Sequence, residues 1–152
     1  MTPEPARPAD FDAIVRLLDE AGLPHEDLTP AHLEHFLVLR EGDAIAGVVG
    51  MEAAEDAGLL RSLAVPRARR GGGLASRLVD ALEEHARAAG IRTLYLLTTT
   101  AEGFFARRGY SRADRDGVPE AIAATAEFRG ICPSTAACMG KALVPAEVPA
   151  GA

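Results

Sequence analysis

Three consecutive glycines separate an apolar run ending Leu63-Ala64-Val65-Pro66 from a helix-periodic stretch beginning Leu74-Ala75-Ser76, and Arg67, Arg69 and Arg70 lie between them. A strand, a basic turn and a helix are therefore expected in that order. Proline ends a strand because it brings no donor to the ladder, and glycine lets the backbone bend sharply and approach a ligand closely. The helix is predicted over 73–89, with Leu74, Leu78, Ala81, Leu82 and His85 on one side and Asp80, Glu83, Glu84 and Arg87 around the other. Its first amide N–H groups have no intrahelical partner, its dipole adds about half a positive charge at that end, and the arginines add whole ones. Two linked phosphates suit such a place. The alternative is a surface turn whose glycines only permit a reversal.

The same residues exclude the commoner phosphate loops. The pattern G-x-x-x-x-G-K-[ST] is absent, because no lysine precedes Lys141. A dinucleotide fingerprint would put glycine directly after the strand and an acid about 20 residues later. Here Pro66 to Arg70 intervene, and the next strand leads into Thr98-Thr99-Thr100. At 152 residues and 48% hydrophobic composition the chain can bury one substantial core, so one domain is expected over 1–143, with a disordered tail at 144–152. A formal charge of -6 argues against nucleic acid as a partner. No apolar run reaches the ~18 residues of a membrane span, and the N-terminus lacks a leader's apolar stretch, so no membrane partner and a cytoplasmic setting are expected. Cys132 and Cys138 would stand about 20 Å apart in an extended chain, too far for a bridge without a tight turn.

Elsewhere Phe11, Ile14, Val15, Leu18 and Ala21 form one helical stripe, with Asp10 able to cap its start and Gly22 suited to its end. Thr29 and Pro30 predict a short second helix to His35. Strands are expected over 36–40 and 44–52 around a Glu41-Gly42-Asp43 turn, then over 59–65, 92–97, from Tyr110, and over 136–143. Short helices are expected over 101–108 and 119–128.

Arg70-Gly71-Gly72-Gly73-Leu74-Ala75 matches the R/Q-x-x-G-x-G/A signature of the GNAT N-acetyltransferases, and Ala101, Phe105, Gly109 and Tyr110 stand where that family reads A-x-x-x-Y-x-x-x-G-[FY]. The chain resembles this family over about residues 5–143. The resemblance implies an α/β (α+β) fold, with a mixed central sheet splayed between its fourth and fifth strands and helices around it. It implies acetyl-CoA as co-substrate and no metal. The backbone of Leu63, Ala64 and Val65 would pair with the pantetheine arm. Arg70, Gly71, Gly72, Gly73, Leu74, Ala75 and Ser76 would hold the pyrophosphate, and Phe104 and Phe105 would line the cofactor site. A homodimer is left open. The passages LYLLTTTAEGFFARRGY and AIAATAEFRGICPSTAACMGKAL also resemble small acetyltransferases associated with bacterial arsenic resistance, distant relatives of the phosphinothricin acetyltransferases. This implies a small acidic amine or amino-acid analogue as acceptor.

Acetyl transfer needs an unprotonated amine, donors for a developing oxyanion and release of a thiolate. The resemblance gives the oxyanion to the backbone N–H of Ala64 or Val65. Its usual thiolate acid is a tyrosine where this chain has Phe105, and the glutamate base of the phosphinothricin group falls on Leu60. Glu52, Glu55, Asp56 and Glu127 remain as candidate bases or as solvated charges, with Glu127 taken as the catalytic candidate. Arg61 is read either as the partner of an acceptor carboxylate or as an exposed strand residue. Phe128, Arg129 and Ser134, with Thr135, are candidates for the acceptor side. Cys132 and Cys138 are small buried hydrophobes or soft ligands. His25, His32, His35 and His85 show no metal-ligand pattern beyond the pair His32 and His35. A non-catalytic coenzyme A-binding module is the rival reading, motivated by Leu60 and Phe105.

Overall fold

The computed structural model describes residues 1–144; the predicted tail beyond Val144 lies outside them. Seven strands, β1 (Glu4–Pro5), β2 (Phe36–Glu41), β3 (Ala44–Ala54), β4 (Ala57–Ala64), β5 (Thr93–Thr98), β6 (Ser111–Arg112) and β7 (Ala137–Ala142), form a mixed sheet in the order β1-β2-β3-β4-β5-β7-β6. The α-helices are α1 (Phe11–Glu20), α2 (Leu74–Ala88), α3 (Glu102–Arg107) and α4 (Glu120–Ala123). β4 and β5 run parallel and pair only at Ala57↔Thr93, Gly58↔Leu94 and Leu59↔Tyr95. β4 itself continues past Leu59 to Ala64. Two compact units are distinguished: Met1–Glu52 with Leu60–Glu83, and Ala53–Leu59 with Glu84 onward.

In the first unit α1 buries Ile14, Leu17 and Leu18 against Leu28, Leu33, Phe36, Val38, Val48 and Ala64. Leu17 takes the inward place expected of Val15, which is only half-buried. Asp10 does not cap α1. Its carboxylate instead accepts the Arg7 N–H at 2.7 Å and both Nη groups of Arg40 at 2.8 and 2.5 Å, and Arg40 Nε donates to Glu4. Arg40 thereby holds the Asp10 carboxyl below the usual carboxylate range. Gly22, at φ 70°, ends the helix as expected, and the Leu23 N–H reaches back to Leu18 O at 2.9 Å.

The second predicted helix is a tight 3-10 turn, Pro30–His35, because six residues close on Thr29 and then extend directly into β2. β3 runs past Glu52 to Ala54, since only Glu55 and Asp56 separate it from β4. The ring of Phe36 occupies the space a Cβ would take at Gly50, its ladder partner, which fixes glycine there. On α2 the buried residues are Leu78, Val79, Leu82, Glu83 and Ala86. Glu83, expected outward, is 5% exposed.

In the second unit β7 is flanked by β5 and β6, and Ala57, Leu59, Val118, Ile122 and Cys138 form the core. The helix expected over 119–128 stops at Ala123. The Thr125 hydroxyl donates to Ile122 O at 2.7 Å, a local bond that competes with helix propagation. A π-type turn, Glu127–Ile131, comes next, with Gly130 at φ 143°.

Candidate functional site

The glycine turn is built as its residues dictate. After Pro66, Arg67–Arg69 make one 3-10 turn, closed by Arg69 N–H to Pro66 O at 2.8 Å. Gly71 and Gly73 take φ of 88° and 79°, a left-handed backbone that side chains resist. The first α-helical bond of α2 runs from Arg77 N–H to Gly73 O at 3.1 Å. Among the described residues, the N–H groups of 71–76 donate to no protein acceptor. This is the free donor set anticipated for a diphosphate.

The arginines beside it are not equivalent. Arg70 Nε donates to Val65 O at 3.0 Å, which ties the turn to the end of β4. Arg69 is ion-paired with Glu41, which offsets part of the charge it was expected to contribute. Arg67 forms no ion pair among the described residues. Gly72 has ordinary φ, and a Cβ there would meet nothing closer than Arg69 O at 3.8 Å.

Leu63, Ala64 and Val65 come directly after a distortion that no sequence signal announces. Ser62, buried inside β4, has φ 60°, which is uncommon for a residue with a Cβ and is a local strain. Beside it Arg61 is neither exposed nor available in the way expected. Its side chain has 0% exposure. Nη1 and Nη2 grip the two oxygens of Asp27 at 2.6 and 2.8 Å, Nη1 also donates to Glu52 at 2.8 Å, and Nε donates to Ser62 Oγ at 3.1 Å. Burial alone would raise the Asp27 carboxyl, but the hydrogen bonds and charge of Arg61 outweigh it and hold that group below its ordinary value.

His32, expected to be structural or solvated, lies 4.0 Å from Glu52 and accepts the Thr29 N–H at Nδ1, 3.0 Å away. Asp27, His32 and Glu52 thus bring one ligand atom each within 4.8 Å of one another. The guanidinium of Arg61 already pairs with both carboxylates and offsets one of their two negative charges, and its own positive charge opposes a cation there.

In the second unit Phe105 is buried, edge-on to Phe104 at 5.1 Å and to Tyr110 at 5.4 Å between ring centroids. The expected position of the thiolate acid therefore carries an apolar ring. Glu127 is 4% exposed, not a solvated charge. Phe128 packs on the core, whereas Arg129 is exposed and lines a concavity of about 430 Å³ with Ala124, Ala126, Gly130 and Ile131. Ser134 and Thr135 are exposed. Arg115, not anticipated, pins their loop through Pro133 O at 3.2 Å and Ala136 O at 2.7 Å. Cys132 and Cys138 are free and buried, and burial pushes the Cys138 thiol up. No helix among the described residues is long and apolar enough to cross a membrane.

A strand, basic turn and helix with unused N-terminal amides, built on a mixed sheet that contains one parallel pair among the described residues, define an α/β class of protein. The model of the Acetyltransferase (GNAT) family matches residues 5–112, and the chain belongs to that family. An amino-acid acetyltransferase of Pseudomonas paraeruginosa is 33% identical over 121 residues, 76% of this chain and 28% of the relative. The chain thus spans under a third of that relative's length. By fold it is similar to N-acetylglutamate synthase from Neisseria gonorrhoeae complexed with coenzyme A and N-acetyl-glutamate, with a TM-score of 0.81, 24% identity, and 94% of this chain and 35% of that one covered. A Mycobacterium tuberculosis protein in complex with CoA gives 0.79 at 23% identity, covering 95% of this chain and 100% of its own.

Proposed function

We propose that this chain transfers the acetyl group of acetyl-CoA to the primary amine of a small acidic amino acid. The observation that carries this reading is the run of unused amides over 71–76, at the start of a long helix and beside arginines. The GNAT family and the amino-acid acetyltransferases similar to this chain support the donor and the acceptor class. An arsenical or phosphinic amino-acid analogue belongs to the same chemical class, and the sequence likeness of the 94–110 and 121–143 passages favours including it.

Each residue then has a task. Arg70, Gly71, Gly72, Gly73, Leu74, Ala75 and Ser76 bind the diphosphate, Leu63 to Val65 orient the pantetheine arm, and the N–H of Ala64 or Val65 stabilises charge developing on the acyl oxygen. Phe104 and Phe105 exclude water. With no hydroxyl at Phe105, the thiolate departs without a general acid from that position, which the acidity of a thiol, about 8.5 for a cysteine side chain, permits. Glu127 is the proposed base, and Arg129, Phe128 and Ser134 contact the acceptor; Arg61, committed to Asp27 and Glu52, leaves the acceptor set. The protein is proposed to act in the cytoplasm on small molecules.

Thiol release from acetyl-CoA, measured across glutamate, aspartate and phosphinic and arsonic amino acids, tests the reading. Turnover on at least one acidic amine and little on neutral ones is expected. Tight coenzyme A binding without turnover on any amine would favour the non-catalytic module instead, the reading that Leu60 and Phe105 support.

A further inference from the structure

We propose that Arg61, gripped by Asp27 and Glu52, is a positioning residue that holds Ser62 in its left-handed conformation and so aims the amides of Leu63, Ala64 and Val65. Ser62 is, with Glu55, one of two non-glycine residues at positive φ among the described residues, and it is the one inside a strand and buried. Such a conformation persists only where surrounding contacts over-determine it. An extra twist at one strand position also re-aims the residues beyond it, and beyond Ser62 lie the three peptides proposed to face the acyl donor.

The contacts that could over-determine Ser62 converge from three places in the chain. Asp27 lies in the irregular stretch before Thr29, Glu52 on β3 and Arg61 on β4 itself. The bidentate Asp27 pair fixes the plane of the guanidinium, and Glu52 fixes its roll. Nε is then presented to Ser62 Oγ at 3.1 Å. Rotation of Ser62 toward extended backbone would move that hydroxyl and break the contact. A buried arginine cannot follow it, because leaving either carboxylate would strand a charge away from water. Asp27 is 34 residues from Arg61 in sequence, so the lock also ties an irregular segment to the strand it serves.

The consequence for function rests on the acetyltransferase reading, and two readouts separate the lock from that reading. The first is the set of ¹⁵N–¹H amide resonances of Leu63, Ala64 and Val65 in the free protein. Asp27→Asn keeps the shape of the pair but weakens it, and these resonances should shift or broaden. In Asp27→Asn/Ser62→Gly they should return toward those of Ser62→Gly alone, because glycine adopts φ 60° unaided. The second readout is acetyl transfer. Asp27→Asn should lower kcat by about tenfold or more with KM for acetyl-CoA within about twofold, and Ser62→Gly in the double variant should restore most of the loss. Glu52→Gln, which leaves the Asp27 pair intact, should act in the same direction with smaller amplitude and serves if Asp27→Asn does not fold. Loss of thermal stability in Asp27→Asn with the amides of 63–65 unmoved, or no recovery through Ser62→Gly, would overturn the lock. A wild-type chain inactive toward every amine, with the amides of 63–65 still responding to Asp27→Asn, would leave the lock standing and remove the acetyltransferase reading.

Discussion

The glycine turn and the Arg61 cluster are both polar sites in the first unit, and they treat their hydrogen-bonding groups in opposite ways. At 71–76 the N–H donors have no protein acceptor among the described residues. Around Arg61 the donors are held by Asp27, Glu52 and Ser62 inside a side chain with no exposure. A surface meant for a ligand leaves donors to water until the ligand arrives, and a group that shapes the backbone closes its bonds internally. Substitutions that the local backbone accepts without strain should therefore separate: affinity changes at the first site, stability and rate changes at the second.

The largest effect is expected at the closed site. Asp27→Ala removes two acceptors from a buried guanidinium and should destabilise the fold by roughly 3 kcal/mol or more in urea unfolding. Were the loss below about 1 kcal/mol, the cluster would rank with ordinary surface pairs and the contrast would fail. Next, Gly72→Glu should weaken coenzyme A binding about a hundredfold by calorimetry, close to 2.7 kcal/mol, while the melting temperature barely moves. The space beyond Gly72 is open and its φ is ordinary, so the added carboxylate meets the diphosphate before it meets the protein.

Gly73→Ala should do the reverse, costing about 1–2 kcal/mol of stability through its φ of 79°. Among the arginines, Arg67→Ala should reduce coenzyme A affinity more than Arg69→Ala, by a few-fold at low salt, because Glu41 already offsets Arg69. The smallest effect is in pH. Asp10 and Asp27 both have folded pKa values below their unfolded ones. The unfolded state then binds more protons in acid, so their stabilisation is complete above about pH 4 and is lost as pH falls through the depressed values. Asp27→Ala should flatten that acid limb in thermal melts at pH 2–5 (about the range of carboxylate titration).

The turn was legible because its information is local. Pro66, the glycines and the arginines each act on their own stretch of backbone, and α2 and Gly22 came from period and cap in the same way. The Arg61 cluster was not, since Asp27 and Glu52 stand 34 and 9 residues away and no periodicity links them. Arg61 inside an apolar strand was the available clue, and read alone it suggests an acceptor's partner or an exposed strand residue, neither of which is the buried pair found. The 119–128 helix failed for a short-range reason that propensity does not count: Thr125 bonds back to Ile122, and Gly130 takes φ 143°. Glu83 was assigned outward by pattern although the helix buries it, a tertiary effect beyond the reach of a single stripe.

The most direct measurement is a titration of the ¹⁵N-labelled chain with coenzyme A. The largest amide shifts, displaced downfield by new acceptors, should fall on Gly71 to Ser76. Saturable binding that leaves those six resonances where they were would contradict this.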